Sequence, residues 1–289
     1  MAVYRQNYKP YQGAITNSRW RFIILPRYAF QTIFESRLLV AFYVLCFVPL
    51  VVAASLIYLQ YSAEALASMR IRALAVVQID AVFFGGLFRI QTFLAFLLVT
   101  FIGPGLITPD VANNALPLYL SKPLSRMEYV AGKLAVLIGM ASLITWMPGL
   151  GLIGIQSDLA GPQWLSENSG IATGFFVGSW VWIITVSLVS LAVSAWFKWR
   201  PVAAASMLGL FFIAAGFGSV MNDMLRVDTE WGVLLNLSTV IAMIFDWFSE
   251  GVTQRGNVPS WAAMASLGTL SVASVFVLYR KIRACEVVR

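Results

Sequence analysis

Few side chains in this sequence could take part in chemistry, and their types restrict what that chemistry could be. The chain has 289 residues and no His, which removes the most frequent general base and metal ligand of proteins. Every Ser/His or Cys/His catalytic arrangement is removed with it. The two Cys, Cys46 and Cys285, lie far apart, so neither a disulfide framework nor a thiolate metal site is indicated. We therefore expect no catalytic, metal-binding or cofactor-binding residues in this chain.

Two places remain where charged residues could perform a function. Arg89 lies inside a long apolar stretch, and residues 108–133 combine acids, cations, Tyr and Pro. Arg89 could face an outer vestibule, pair with an acid such as Asp80 or Glu64, or extend to the lipid headgroups. What either place can do depends on the elements that position it.

The composition places these elements in a membrane. Apolar residues make up 60% of the chain and charged residues only 11%, against about 25% in soluble domains. The mean hydropathy is +0.80. Such a chain lacks the polar side chains to cover a surface that faces water, so a soluble enzyme, a disordered chain and a nucleic-acid-binding domain are excluded.

The predicted fold is all-α and polytopic, because a helix that crosses the hydrocarbon core needs about 20 apolar residues. Residues 39–280 form the transmembrane domain. Pro49, Pro104 and Pro148 are expected to bend the first three spans. The predicted spans are about 39–59, 83–107, 131–155, 171–197, 202–221 and 260–279.

The charges between the spans predict the orientation. Of the 20 Lys and Arg residues, 15 fall in segments 1–38, 108–133, 198–201 and 280–289, whereas nine of the 13 acids fall in the alternate segments. By the positive-inside rule, both termini are cytoplasmic and the chain lies in the cytoplasmic (inner) membrane. The net charge of +7 is then explained by the orientation of the chain and by attraction to membrane lipids, and no nucleic acid is expected as a partner.

Segments outside the spans carry weaker patterns. In residues 1–38, aromatic residues alternate with Arg, which suits either an interfacial helix or an ordinary aromatic belt. Residues 231–248, within the outer segment 222–259, are apolar but short, and we interpret them as a re-entrant or interfacial helix. Residues 60–80 resemble a second outer amphipathic piece, and 281–289 form a basic cytoplasmic tail.

The loop between the second and third spans has clear helix signals. Thr108, Pro109 and Asp110 are typical of a helix start, with a capping hydroxyl, a proline and an acid in the first turn. Lys122-Pro123 would end that short helix. The run from Ser125 to Glu128 is a capping box ahead of the third span.

This loop also carries a family resemblance. The order Leu-Tyr-Leu-Ser-Lys-Pro-Leu-Ser-Arg-x-Glu-Tyr over residues 118–129, followed by Gly132-Lys133, resembles the intracellular loop of ABC-2-type permeases. These are membrane subunits of ATP-binding-cassette exporters, and the six-span plan is similar over nearly the whole chain. Lys122 departs from the frequent Arg, which keeps the charge but loses the planar fork.

The resemblance implies that the loop 108–130 is a coupling helix that seats in a partner ATPase. It implies two ATPase subunits, which would hold ATP and Mg²⁺, and a second permease copy, identical or not. It also admits members that transmit force to a periplasmic partner. The implied coupling residues are Asp110, Leu116, Leu118, Tyr119, Leu120, Ser121, Lys122, Pro123, Arg126 and Glu128.

The remaining patterns bear on cargo and on rival functions. Aromatic residues make up 14% of the chain, which favours a hydrophobic or amphipathic substrate. Gly170, Gly174 and Gly178 share a face of the fourth span and predict close helix packing.

No nucleotide-binding motif is present, so work driven by ATP needs a separate subunit. A stand-alone channel or carrier is the alternative, and no Gly-x-Ser-x-Gly sequence supports an intramembrane enzyme.

Overall fold

The computed structural model describes residues 24–61, 78–115, 125–225, 230–255 and 257–282. Within these ranges, six helical stretches are long and apolar enough to cross a membrane, and each coincides with a predicted span. The six stretches are Arg37–Tyr61, Ala81–Ala112, Arg126–Ala160, Ser169–Ser194, Arg200–Met224 and Ser260–Lys281. The chain is therefore an α-helical, multi-pass membrane protein, as the sequence predicts.

Eleven α-helices are present in the described ranges. In chain order they are α1 (Ile24–Glu35), α2 (Arg37–Leu45), α3 (Val48–Tyr61), α4 (Ala81–Ala112), α5 (Arg126–Ser142), α6 (Trp146–Ala160), α7 (Pro162–Glu167), α8 (Ser169–Ser194), α9 (Arg200–Leu225), α10 (Leu237–Glu250) and α11 (Ser260–Lys281). A 3₁₀ helix (Trp231–Leu235) precedes α10, and a two-stranded antiparallel hairpin of β1 (Gln254–Arg255) and β2 (Val258–Pro259) precedes α11.

Two spans are interrupted just ahead of a proline. The first span breaks between α2 and α3, before Pro49, and the third breaks between α5 and α6, before Pro148. Proline has no N–H to donate to the carbonyl four residues earlier, and its ring clashes with that carbonyl. The second span behaves differently, because α4 continues through both Pro104 and Pro109.

The predicted helix start at Thr108, Pro109 and Asp110 is wrong. These residues lie in the last turns of α4. The Thr108 hydroxyl does not cap a helix but donates to the Ser194 carbonyl on α8, at 3.2 Å. The helix continues to Ala112, and Asn114, just beyond the C-cap Asn113, adopts a left-handed conformation with φ of 50°. The capping signals are outweighed here by packing of α4 against α8.

The pair α4 and α8 forms the centre of the bundle. Both helices run in the same direction, since their contacts advance together along the two sequences. Trp182 is 1% exposed, and its indole N–H donates to a backbone carbonyl of α4. Side-chain-to-backbone bonds between the two helices are Trp182 Nε1 to Thr92 O (2.7 Å), Ser190 Oγ to Val99 O (3.3 Å) and Thr108 Oγ1 to Ser194 O (3.2 Å).

Helix α10 is too short to cross a membrane and is buried in the bundle. Its 14 residues extend about 21 Å, against about 30 Å of hydrocarbon. Residues 240–245 are all buried, and α10 packs against α4, α8 and α11. Before it, the 3₁₀ helix runs back along α9, where the Gly232 N–H donates to the Asn222 side chain at 2.7 Å. Residues 231–248 therefore pack against other helices and form no further candidate span among the described residues.

Charge is segregated along the bundle. Most cations of the described spans lie toward one end of the bundle, the end at which α4 ends and α5 begins. We call it the basic end and the opposite end the acidic end. Lys281 lies 3.9 Å over the Trp196 ring, so the last turns of α8 and α11 share the basic end. At the acidic end, Trp164 of α7 contacts Phe84 of α4.

The Trp182 bond gives a test of the central helix pair. Trp182→Phe removes the indole N–H and leaves the buried Thr92 carbonyl with only its helical partner. We therefore expect a loss of about 1 kcal/mol in the free energy of unfolding. The measurement is unfolding in mixed micelles with increasing dodecyl sulfate. Trp199→Phe is the control, because Trp199 is 74% exposed. Equal losses in the two variants would show that the bond does not stabilise the pair.

Candidate functional sites at the two ends of the bundle

The predicted coupling residues divide between described and undescribed parts of the chain. Asp110 lies in the last turn of α4, while Arg126 and Glu128 lie in the first turn of α5. These three therefore flank the loop at its two ends. The following residues lie outside the described ranges: Leu116, Leu118, Tyr119, Leu120, Ser121, Lys122 and Pro123.

Asp110 joins α4 to α5 through two side chains. The Tyr129 hydroxyl donates to Asp110 Oδ2 at 2.6 Å, and Lys133 Nζ lies 3.1 Å from the same oxygen. The side chains of Lys133 and Asp110 are only 12% and 14% exposed, and Tyr129 is buried. Lys133 also lies over the Tyr129 ring, 5.5 Å from its centroid. We call these three residues the loop anchor, because they tie the two sides of the loop together.

The predicted capping box at the start of α5 is confirmed. The Ser125 side chain accepts from the Glu128 N–H at 3.2 Å, and the Glu128 carboxylate accepts from the Ser125 N–H at 2.7 Å. The Glu128 carboxylate also lies near the positive end of the helix dipole. The chain therefore leaves the loop at a defined point, one turn before the loop anchor.

Sequence reasoning missed Tyr129 and Lys133 as partners of Asp110. One signal was visible, because Tyr129 and Lys133 are four residues apart and must share a face of α5. The sequence does not show which way that face points. The partner of Asp110 follows from the packing of α4 beside α5.

At the acidic end, Arg89 pairs with an acid that the sequence did not indicate. Arg89 Nη2 lies 3.5 Å from Asp246 Oδ2 on α10, and the side chains are 49% and 20% exposed. Asp80, one predicted partner, instead caps α4 by accepting from the Phe83 N–H at 3.0 Å. The other, Glu64, lies outside the described residues. Arg89 thus links α4 to the short helix α10.

A small cavity lies beside Arg89. Its volume is about 270 Å³, just below the roughly 300–1,000 Å³ of typical ligand pockets. It lies between α4 and the first half of α10. The lining residues are Arg89, Thr92, Phe93, Ser238, Thr239 and Ala242. In this conformation the cavity is too small for a large amphipathic substrate.

The three glycines of α8 lie against α10 and α4. Gly170 faces a backbone carbonyl of α10, and a Cβ at Gly174 would lie 3.0 Å from the Phe245 carbonyl oxygen. A Cβ at Gly178 would lie 2.8 Å from the Phe88 ring, which stacks on Phe245 at a centroid distance of 5.0 Å. The absence of side chains on this face lets α10 approach α8 closely.

Comparison with known proteins leaves the family open. No protein-family model matches the chain, and no curated protein matches it either. Function is therefore inferred from the loop motif and from the packing at the two ends of the bundle.

The loop anchor predicts a non-additive pair of substitutions. Asp110→Asn leaves Lys133 buried without its counter-charge, and Lys133→Met does the same to Asp110, so each should destabilise the protein by roughly 3 kcal/mol. The double variant Asp110→Asn/Lys133→Met buries neither charge and should recover a large part of that loss. A double-mutant cycle measured by unfolding in mixed micelles gives the coupling energy. Simple additivity would mean that the two charges do not interact.

Proposed function

We propose that this chain is the permease subunit of an ATP-binding-cassette transporter of the ABC-2 type. It would export a hydrophobic or amphipathic substrate with energy from a separate ATPase subunit. The observation that carries the proposal is the loop between α4 and α5. Its residue order resembles the ABC-2 coupling loop, and the loop anchor and the capping box hold its two ends.

The proposed orientation places the basic end in the cytoplasm and both termini on that side. Support comes from the charge distribution, since Lys and Arg are enriched in cytoplasmic segments of membrane proteins. The loop then faces the compartment in which an ATPase subunit would bind. The membrane would be the cytoplasmic, or inner, membrane.

Helix α4 offers a mechanical path from the loop to the opposite end. It has 32 residues, which is about 48 Å at 1.5 Å per residue, and it contains both Asp110 and Arg89. Because the loop anchor is buried, a displacement of the loop would move α4 with it. The movement would then reach α10 through the Arg89–Asp246 pair and the Phe88–Phe245 stack.

Helix α10 is the proposed outward gate. It is a short helix that ends at the acidic end. Because it is too short to cross the membrane, packing contacts with its neighbours hold it in place. A shift of α4 relative to α8 would alter contacts on both of its sides. The small cavity beside Arg89 would enlarge when the gate opens, which gives an amphipathic substrate a way out.

The complete transporter would contain further subunits. Two ATPase subunits would bind ATP and Mg²⁺, and a second permease copy, identical or related, would complete the pathway. This chain would itself be no enzyme. Affinity purification of the chain from native membranes tests this directly, since a stoichiometric ATPase subunit should accompany it. Recovery without any ATPase would favour a stand-alone channel or carrier, and recovery with a periplasmic protein would favour force transmission.

The loop motif predicts an uncoupled variant. Leu118→Ala/Tyr119→Ala removes the apolar contacts that would seat the loop in the ATPase, so substrate-stimulated ATP hydrolysis should fall at least about tenfold. Basal hydrolysis, which needs no signal from the permease, should stay the same. The measurement is the ATPase rate of the reconstituted complex with and without substrate.

Met127→Ala is the matched control for the loop variant. Met127 is 72% exposed and occupies the variable position of the motif, in the first turn of α5. Its truncation removes exposed apolar surface at a position where the motif requires no particular side chain. Stimulation that survives in Leu118→Ala/Tyr119→Ala, or is lost equally in Met127→Ala, would contradict the coupling role.

The Arg89–Asp246 pair predicts a charge-reversal rescue. Arg89→Gln and Asp246→Asn each break the link between α4 and α10, so each should reduce transport several-fold while ATPase binding is kept. Arg89→Asp/Asp246→Arg restores opposite charges and should recover part of the transport. Substrate uptake into inverted vesicles measures this. Normal transport in both single variants would exclude the pair from the gate.

A further inference from the structure

A long apolar groove opens at the basic end of the bundle, beside the start of α5. It lies between α5, α8 and α11 and has a volume of about 720 Å³. The proposed coupling and gating steps use no residue of its apolar wall. The lining residues are Arg126, Met127, Val130, Ala131, Leu134, Leu188, Ser271, Val272, Val275, Phe276, Leu278, Tyr279 and Ile282.

The length of the groove matches one leaflet of a bilayer. Along α11 the lining extends from Ser271 to Ile282 at the basic end, which is about 16 Å at 1.5 Å per residue. The hydrocarbon layer of one leaflet is about 15 Å thick, half of the whole core. A lipid acyl chain that starts at the basic end would therefore lie along the whole groove.

Two arginines lie at the basic end of the groove, which we call its mouth. Arg126 lines the groove from the first turn of α5. In the last turn of α11, the Arg280 guanidinium lies 4.6 Å from the centroid of Phe276, another lining residue. Within the described part of the chain, neither guanidinium forms an ion pair with a carboxylate. The nearest acid in the sequence of α5, Glu128, directs its carboxylate to the Ser125 N–H. An anion is therefore the favoured group at this mouth.

We propose that this groove binds one anionic glycerophospholipid from the leaflet at the basic end. An acyl chain occupies the apolar groove, and the phosphate binds Arg126, with Arg280 as the second cation. Arginine binds phosphate oxygens with two parallel hydrogen bonds. A zwitterionic headgroup also has phosphate oxygens, but it carries no net negative charge to match the two arginines. A second protein copy over the groove would instead bury unpaired guanidinium groups, which is costly.

The test measures lipid bound to this chain alone, without an ATPase, so its outcome does not depend on the proposed transport function. The chain is placed in nanodiscs of equal parts phosphatidylglycerol and phosphatidylcholine and released for native mass spectrometry. We expect a retained phosphatidylglycerol in preference to phosphatidylcholine. Arg126→Gln/Arg280→Gln should reduce that preference by roughly tenfold.

Two further variants separate the groove from general surface charge. Val275→Trp fills the groove and should remove the retained lipid whatever its headgroup, while the cations stay. Arg37→Gln/Arg200→Gln is the matched control, because these two exposed Arg lie at the basic end but do not line the groove. This control should keep the preference of the unmodified chain.

Three results would overturn the proposal. The first is the absence of any preference for phosphatidylglycerol in the unmodified chain. The second is an equal loss of preference in Arg126→Gln/Arg280→Gln and in the control. The third is a Val275→Trp variant with unchanged lipid binding but an altered oligomeric state, which would make the groove an interface between copies.

Discussion

The attachment of α4 to α8 is the interaction on which the rest of this structure depends. Inside a bilayer, lipid tails are as apolar as Leu side chains, so apolar burial alone does not hold two helices together. Close contact and interhelical hydrogen bonds must do so, and Trp182, Ser190 and Thr108 supply bonds along the whole pair. One end of α4 then carries the loop anchor, and the other carries the contacts to α10.

The two ends of α4 differ in the kind of contact that they make. At the basic end, Asp110, Tyr129 and Lys133 are largely buried, and such a cluster resists partial opening because each lost partner leaves an unpaired polar group. At the acidic end, the Arg89–Asp246 pair is more exposed and longer, at 3.5 Å. Pairs of that kind contribute little to stability. A firm contact at the loop and a weak one at α10 are what the proposed transmission of movement toward α10 would need.

The features that depend on residues close together in the sequence could be predicted. The six spans follow from the thickness of the hydrocarbon layer, and the capping box of Ser125 and Glu128 involves residues three apart, so both were predictable. The helix start at Thr108 was wrong because the same residue types can serve another purpose. Once α8 presents the Ser194 carbonyl, the Thr108 hydroxyl bonds there and α4 continues. The partner of Arg89 was not predicted either, because Asp246 is distant in sequence.

By itself, the sequence determined that this is an α-helical, multi-pass membrane protein with its charges sorted between the predicted spans. Those features depend on segment length and composition, which are properties of the chain before it folds. Only the tertiary structure decided that Asp110 contacts Lys133, that Arg89 contacts Asp246, and that residues 240–245 lie buried among three helices. These contacts join residues far apart in the chain, and helix packing alone selects them.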